Sequence, residues 1–264
     1  MSTITTYPAG VPCWIDTFQP DPEAAAQFYG RLLGWTFDEP AAMPSGLAGE
    51  YRTARSGGRL VAGIGQAPVG FPSAVWTTYI AVGDVDAAAA GGGRIVGPTS
   101  HGDGGRMAVL TDPVGVAFGI WQAGARRGAE QVNEPGSWTM SSLHTPAPGD
   151  SEAFYGRVFG WRLETAPDAP MRFWRLDGHV GGQAEQPMPR DVVAGLAPIS
   201  EGDPTPPHWS VAFIVSNVDA TARRASELGG TVLLAPTDTP GFRSAVIADP
   251  QGGGVAVTAP AKTA

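Results

Sequence analysis

The eight residues Phe28-Tyr29-Gly30-Arg31-Leu32-Leu33-Gly34-Trp35 return almost letter for letter as Phe154-Tyr155-Gly156-Arg157-Val158-Phe159-Gly160-Trp161, at an offset of 126. A chain of 264 residues with such an octet in each half is a tandem duplication. Further landmarks repeat in the same order. The strand-like run Trp76–Val82 answers to Trp209–Val215, Val85-Asp86-Ala87 to Val218-Asp219-Ala220, and Asp112-Pro113-Val114-Gly115 to Asp249-Pro250-Gln251-Gly252. The offset grows from 133 at Trp76/Trp209 to 137 at Asp112/Asp249. That growth predicts a helix after Asp219 one turn longer than the helix after Asp86. Residues 10–122 read as the first module, 123–136 as a polar linker without periodicity, and 137–260 as the second module. Each half is long enough to bury a core of its own.

Local patterns fill in the modules. Pro12–Gln19 reads as a strand. Asp21 is a good N-cap, Pro22 suits the first helical position and Glu23 favours the helix dipole. The helix runs to Leu33, with Phe28, Tyr29, Leu32 and Leu33 on one apolar face, and Gly34 ends it. Trp35–Asp38 is a strand and Ala41–Gly49 a loop. Glu50–Arg55 and Leu60–Gln66 form a hairpin. A strand at Trp76–Val82, a short helix at Val85–Ala90 and a short strand at Arg94–Val96 follow, then a hairpin around Asp112-Pro113-Val114-Gly115. Gly91-Gly92-Gly93 follows a helix and leads into a strand, the wrong order for a phosphate cradle.

A net charge of −8 with no basic run argues against nucleic acid or an anionic membrane as partner. No apolar run is long enough to span a bilayer. Residues 1–12 lack the basic start and apolar centre of a secretory signal, so a cytoplasmic location is expected. The single cysteine, Cys13, has no partner for a disulfide within the chain and reads as a buried, inert thiol.

The two octets, the helix opening Asp21-Pro22-Glu23-Ala24-Ala25, the Val-Asp-Ala pairs and the Asp-Pro-X-Gly turns resemble the glyoxalase, bleomycin-resistance and extradiol-dioxygenase group, the vicinal oxygen chelate superfamily. Within it, the chain is most similar to two-module actinobacterial-type proteins labelled hydroxylase or glyoxalase-like. The resemblance implies an α+β fold: two pseudo-twofold modules built from βαβββ units, with strands curled into cupped mixed sheets. It implies no single reaction, because this fold hosts isomerases, dioxygenases and metal-free drug-sequestering proteins.

Metal-dependent members of the group hold a divalent ion at three strand positions per cup. The resemblance places these at Trp14, Thr77 and Gly119 in the first module, and at Met140, Ser210 and Ala256 in the second. None is His, Glu, Asp or Cys, the residues that displace a metal's water. The expectation is therefore no metal at the standard place and no cofactor. Strand alternation instead puts Trp14, Asp16, Phe18, Thr77, Tyr79, Gly119 and Trp121 on one inner face. Met140, Ser142, His144, His208 and Ser210 share the other. Arg106, and Arg243 in the second copy, are the candidate partners of a structural Asp16–Arg pair, and His101 and Asp103 are placed to gate the mouth.

This mixture of aromatic, small and polar side chains suits a cavity for a small apolar or aromatic metabolite. The expected function is metal-independent binding or sequestration by a monomer or homodimer. The alternative is a lyase, isomerase or oxygenase/hydroxylase of secondary metabolism using His144, His208 or Tyr79, or a metal in a shifted register. A third possibility is that side chains plug both cups.

Overall fold

In the computed structural model, described for residues 4, 6–43, 48–68, 74–164, 171–181 and 189–261, two mixed sheets carry four helices among the described residues. The first half comprises β1 (Pro12–Gln19), α1 (Pro22–Leu33), β2 (Thr36–Phe37), β3 (Ala41–Ala42), β4 (Glu50–Ser56), β5 (Arg59–Gln66), β6 (Val75–Ala81), α2 (Val85–Ala89), β7 (Gly93–Ser100), β8 (Gly105–Thr111) and β9 (Ala117–Ala123). The second comprises β10 (Trp138–Thr145), α3 (Pro148–Phe159), β11 (Arg162–Leu163), β12 (Arg172–Arg175), β13 (Val192–Pro198), β14 (His208–Ile214), α4 (Val218–Glu227), β15 (Thr231–Thr239), β16 (Phe242–Ala248) and β17 (Gly254–Pro260).

The first sheet runs β2-β4-β5-β1-β6-β9-β8-β7, with β3 paired to β4. The second runs β11-β12-β13-β10-β14-β17-β16-β15, the same order in a second copy. In each sheet two four-stranded halves join through an antiparallel central pair, β1–β6 or β10–β14. This is the duplicated cupped α+β fold that the family resemblance implies.

Helix α1 starts where the Asp21 side chain accepts from the Ala24 amide and stops at left-handed Gly34. The longer helix expected after Asp219 is present: α4 has ten residues and α2 five. Three readings need correction. Strand β7 extends to Ser100 rather than ending at Val96, because it pairs along β8 past a shift in register. A short strand, β3, occupies the start of the expected Ala41–Gly49 loop, while residues 44–47 lie outside the described residues. The segment read as a linker is not a bare connector: Ala129 and Gln131 are buried, and the Ala129 amide donates to the Cys13 carbonyl at 2.8 Å.

One core, with Cys13, Trp14, Tyr79, Met107, Trp121 and Ala129, stays within the first half and the linker, but the two larger ones join the halves. One of these joins Ile15, Phe28, Tyr29, Trp35 and Trp76 of the first half to Phe213, Val218, Ile247 and Val257 of the second. The other joins Ile80, Leu110 and Phe118 to Phe154, Tyr155, Trp161 and Trp174. The repeated octet supplies the cross-links. The Tyr29 hydroxyl donates to Asp249 Oδ2 at 2.8 Å, and Trp35 Nε1 donates to the Gly136 carbonyl at 2.6 Å. In the second copy Tyr155 donates to Asp112 and Trp161 Nε1 to the Gly10 carbonyl. Gly30 and Gly156 are small because a Cβ there would sit 3.2 and 3.1 Å from the carbonyl oxygens of Trp35 and Trp161. Between the sheets, the Thr78 and Ser141 hydroxyls bond at 2.6 Å.

Candidate functional site: an aromatic cup with a buried carboxyl

The concave face of the first sheet encloses a cavity of about 860 Å³. Its walls include Trp14, Phe18, Tyr51, Tyr79, Met107 and Trp121, with Asp16 among them. Alternation along β1 turns Trp14, Asp16 and Phe18 to this side, while Ile15 enters the shared core. Two glycines make the arrangement possible. A Cβ at Gly63, the parallel partner of Asp16 on β5, would overlap the Tyr51 hydroxyl. A Cβ at Gly119, opposite Tyr79 on β9, would overlap the Tyr79 ring.

A directed chain of hydrogen bonds ends at Asp16. Trp14 Nε1 donates to the Tyr51 hydroxyl at 3.0 Å, and that hydroxyl donates to Asp16 Oδ2 at 3.2 Å. The neighbouring Tyr79 hydroxyl also favours the ionised carboxyl. Asp16 Oδ1 is buried and takes no hydrogen bond from the described residues. Burial pushes the carboxyl up to about 7, against the opposing pull of Tyr79, Tyr51 and Arg126. Burial also raises both tyrosines well above the usual phenol range, with Asp16 adding to it.

Asp16 therefore costs the fold stability when ionised. Its folded-state value is raised, so its favourable contribution is complete in acid and disappears as pH rises toward 7. Relative to Asp16→Asn, the wild type should lose on the order of 4 kcal/mol between pH 4 and pH 8, at about 1.4 kcal/mol per pH unit. Urea unfolding of both proteins across that range checks it, and parallel pH profiles would contradict it.

The expected Asp16–Arg pair does not form. Arg106 is clamped to Asp86, with nitrogen–oxygen distances of 2.6 and 3.1 Å. Arg243 holds Asp219 at 2.8 Å through both contacts. The repeated Val-Asp-Ala carboxylates are thus the partners of these arginines, which lie outside the cavity walls. The charged group near Asp16 is instead Arg126, from the segment read as a linker, with its guanidinium 5.8 Å from the Trp14 ring centre. Trp121 Nε1 donates to the Arg126 carbonyl at 3.0 Å, which holds this segment over the cup. His101 and Asp103 line the same cavity, and His101 packs edge-on to Trp121 at 5.4 Å.

Tyr51, Arg126 and Met107 were missed at the sequence level. Alternation of Tyr51 against Gly63 and Gly65 across the β4–β5 hairpin was the available signal for the first. Nothing in the sequence marked the linker as a wall.

On the second sheet the structure brings Ser142, His144, His208 and Ser210 side by side across β10 and β14. Met140 lies further along β10, opposite Ala212. The His144 and His208 rings stack at 4.4 Å, and His144 Nε2 meets the Ser210 hydroxyl at 3.0 Å. Burial and the adjacent His208 hold His144 down to about 4, so it is neutral at physiological pH. His208 Nδ1 is taken up by the Pro206 carbonyl at 2.8 Å, so each ring already spends a nitrogen within the chain.

The residues do not fit a divalent ion at the positions the fold uses for one. Trp14 donates to Tyr51 through its indole N–H, and the space a longer side chain would need at Gly119 is filled by the Tyr79 ring. Met140 and Ala256 in the second cup offer neither imidazole nor carboxylate. Among the described residues no three His, Cys, Asp or Glu side chains come together to hold a metal. Nor is any described helix long and apolar enough to cross a membrane.

A glyoxalase-like domain family model matches residues 14–121 and 139–258. The protein CFP32 of Mycobacterium bovis, named as a glyoxylase, is 39% identical over 268 residues, covering 97% of each chain. The anthracycline biosynthesis protein DnrV of Streptomyces peucetius is 36% identical over 273 residues, covering 96% of this chain and 94% of its own. Among solved structures, the Mn(II)-bound glyoxalase of Novosphingobium aromaticivorans superposes with a TM-score of 0.63 at 18% identity, covering 95% of this chain and 82% of that one. The 2,3-dioxygenase LapB of Pseudomonas sp. KL28 gives 0.61 at 14% identity, covering 98% and 93%. At these identities the structural likenesses speak for the fold alone.

Proposed function

The chain belongs to the glyoxalase-like domain family, and from that premise we propose that its first cup binds a small planar aromatic metabolite without a metal. The observation that carries this reading is the cavity of about 860 Å³, walled by Trp14, Phe18, Tyr51, Tyr79 and Trp121. Its volume lies within the range of drug-sized ligand sites. Offset stacking on Trp14 or Trp121 and burial against Phe18 and Met107 would supply most of the affinity. The name of DnrV is in keeping with such a ligand, since an anthracycline core is a planar fused-ring system.

A second reading, an enzyme of the isomerase or lyase type, is favoured by one feature. The Asp16 carboxyl, with a value near neutrality, can exchange a proton with a bound molecule. It takes the place of His144, His208 and Tyr79 as the candidate acid or base. The last of these is held as a neutral phenol by burial.

Calorimetric titration with fused-ring aromatics such as 2-naphthol, in the presence of a strong chelator, tests the proposal. Saturable binding at one site per chain, unchanged by added Mn(II), is the expected result. Binding that requires the metal would overturn it, and turnover of a bound compound that stops in Asp16→Asn would favour the enzyme.

A further inference from the structure

Within the reading of the first cup as an aromatic-binding site, we infer that the ligand carries a hydroxyl group that donates a hydrogen bond to the Asp16 carboxyl. The carboxyl is part of the cavity wall, and Asp16 is 97% buried, with 3% of its surface exposed. Oδ2 has Tyr51 as a donor, whereas Oδ1 has no partner among the described residues. A buried acceptor left unpaired is costly, and a ligand that supplies the missing donor recovers that cost on binding.

The direction of the surrounding hydrogen bonds decides between a donor and an acceptor on the ligand. The Tyr51 oxygen already accepts from Trp14 Nε1, which leaves its proton for Asp16. The neighbouring Tyr79 hydroxyl pulls the carboxyl the same way. The charge of Arg126 also favours the anion. Above about 7 the group is a carboxylate, whose free oxygen accepts; there a carbonyl brought to the same place would meet a like lone pair. The glycines at 63 and 119 give the arrangement room, since a Cβ at either would displace Tyr51 or Tyr79 from the carboxyl. The site thus discriminates a phenol from its ether by one buried hydrogen bond, a form of selection that rejects the group lacking the donor strongly.

The charge dependence follows. A donor ligand binds the ionised carboxyl, so its affinity rises with pH as Asp16 loses its proton near 7. The other ionisable groups facing Asp16 or its cavity are Tyr51 on β4, Tyr79 on β6, His101 after β7, and Asp103, Arg126, Arg127 and Glu130. The two tyrosines stay neutral, and burial lowers His101 from its usual value.

The test compares 2-naphthol with 2-methoxynaphthalene, which differ in the hydroxyl proton, by calorimetry between pH 6 and pH 8. The phenol is expected to bind about tenfold or more tightly than the ether at pH 8, the worth of one charge-assisted hydrogen bond. Its affinity should fall several-fold toward pH 6, while that of the ether stays flat. Asp16→Asn should abolish the pH dependence of the phenol. If both compounds bind equally at every pH, the inference is wrong and the cavity reading stands. If neither binds, both are wrong. The wild-type comparison decides the matter even if the variant does not fold.

Discussion

Replacing Asp249 by Ala should destabilise the whole molecule by about 3–5 kcal/mol, enough to unfold a domain of ordinary stability. The Asp249 carboxyl is buried and joins elements that are distant in sequence. Oδ2 accepts from Tyr29 and from Gln19, both at 2.8 Å, and Oδ1 accepts from the amides of Gln251 and Gly253 at 2.9 Å. Removing it leaves the Tyr29 hydroxyl and the Gly253 amide, both buried, and the half-buried Gln251 amide without this acceptor, while Gln19 Nε2 keeps only Thr17 Oγ1. Tyr29→Phe removes one of these bonds and should cost about 1–2 kcal/mol. Tyr155→Phe should cost less, because its bond to Asp112 is 3.4 Å long. The two larger cores are shared between halves, so each variant should unfold in one transition, at lower urea. Urea titrations followed by tryptophan fluorescence and by circular dichroism would show it. Two separated transitions, with only the second module weakened, would contradict the shared-core account.

Trp14→Ala should have the largest effect on binding. Trp14 walls the cup, orients Tyr51 through its indole N–H and lies beside the Arg126 guanidinium. Losing its ring removes stacking area and frees the Tyr51 hydroxyl from the geometry that holds it on Asp16. An aromatic probe should lose about 2 kcal/mol or more of affinity, close to 30-fold. Trp14→Phe keeps much of the area and lacks only the N–H, so it should lose less. Calorimetry with 2-naphthol on both variants measures the difference. Equal affinity in the wild type and the Ala variant would place the ligand elsewhere.

The fold was legible because the octet does the same work in each half. Its Tyr, two Gly and Trp are each required at a specific contact, and those contacts recur. The destination of the contacts was not legible: nothing in the letters says that Tyr29 reaches Asp249 rather than Asp112. Inner-face residues such as Trp14, Asp16 and Tyr79 followed from alternation alone, since a pleated strand offers two faces. Arg106 was misassigned because proximity along β8 does not show which carboxylate lies across the turn, and Asp86 takes it. Arg126 escaped because the segment that carries it has no periodicity; its position comes from backbone bonds such as that from its amide to the Gly104 carbonyl, at 3.0 Å. Tyr51 could have been found by asking why Gly63 and Gly65 face it across a hairpin.

The most direct measurement is a crystal structure of the protein grown with 2-naphthol and Mn(II), with anomalous data collected at the manganese edge. The account expects the naphthol ring against Trp14, its hydroxyl on the Asp16 carboxyl, and no anomalous peak inside either cup. A manganese ion coordinated by cup side chains, with the aromatic bound through it, would contradict the account at its centre.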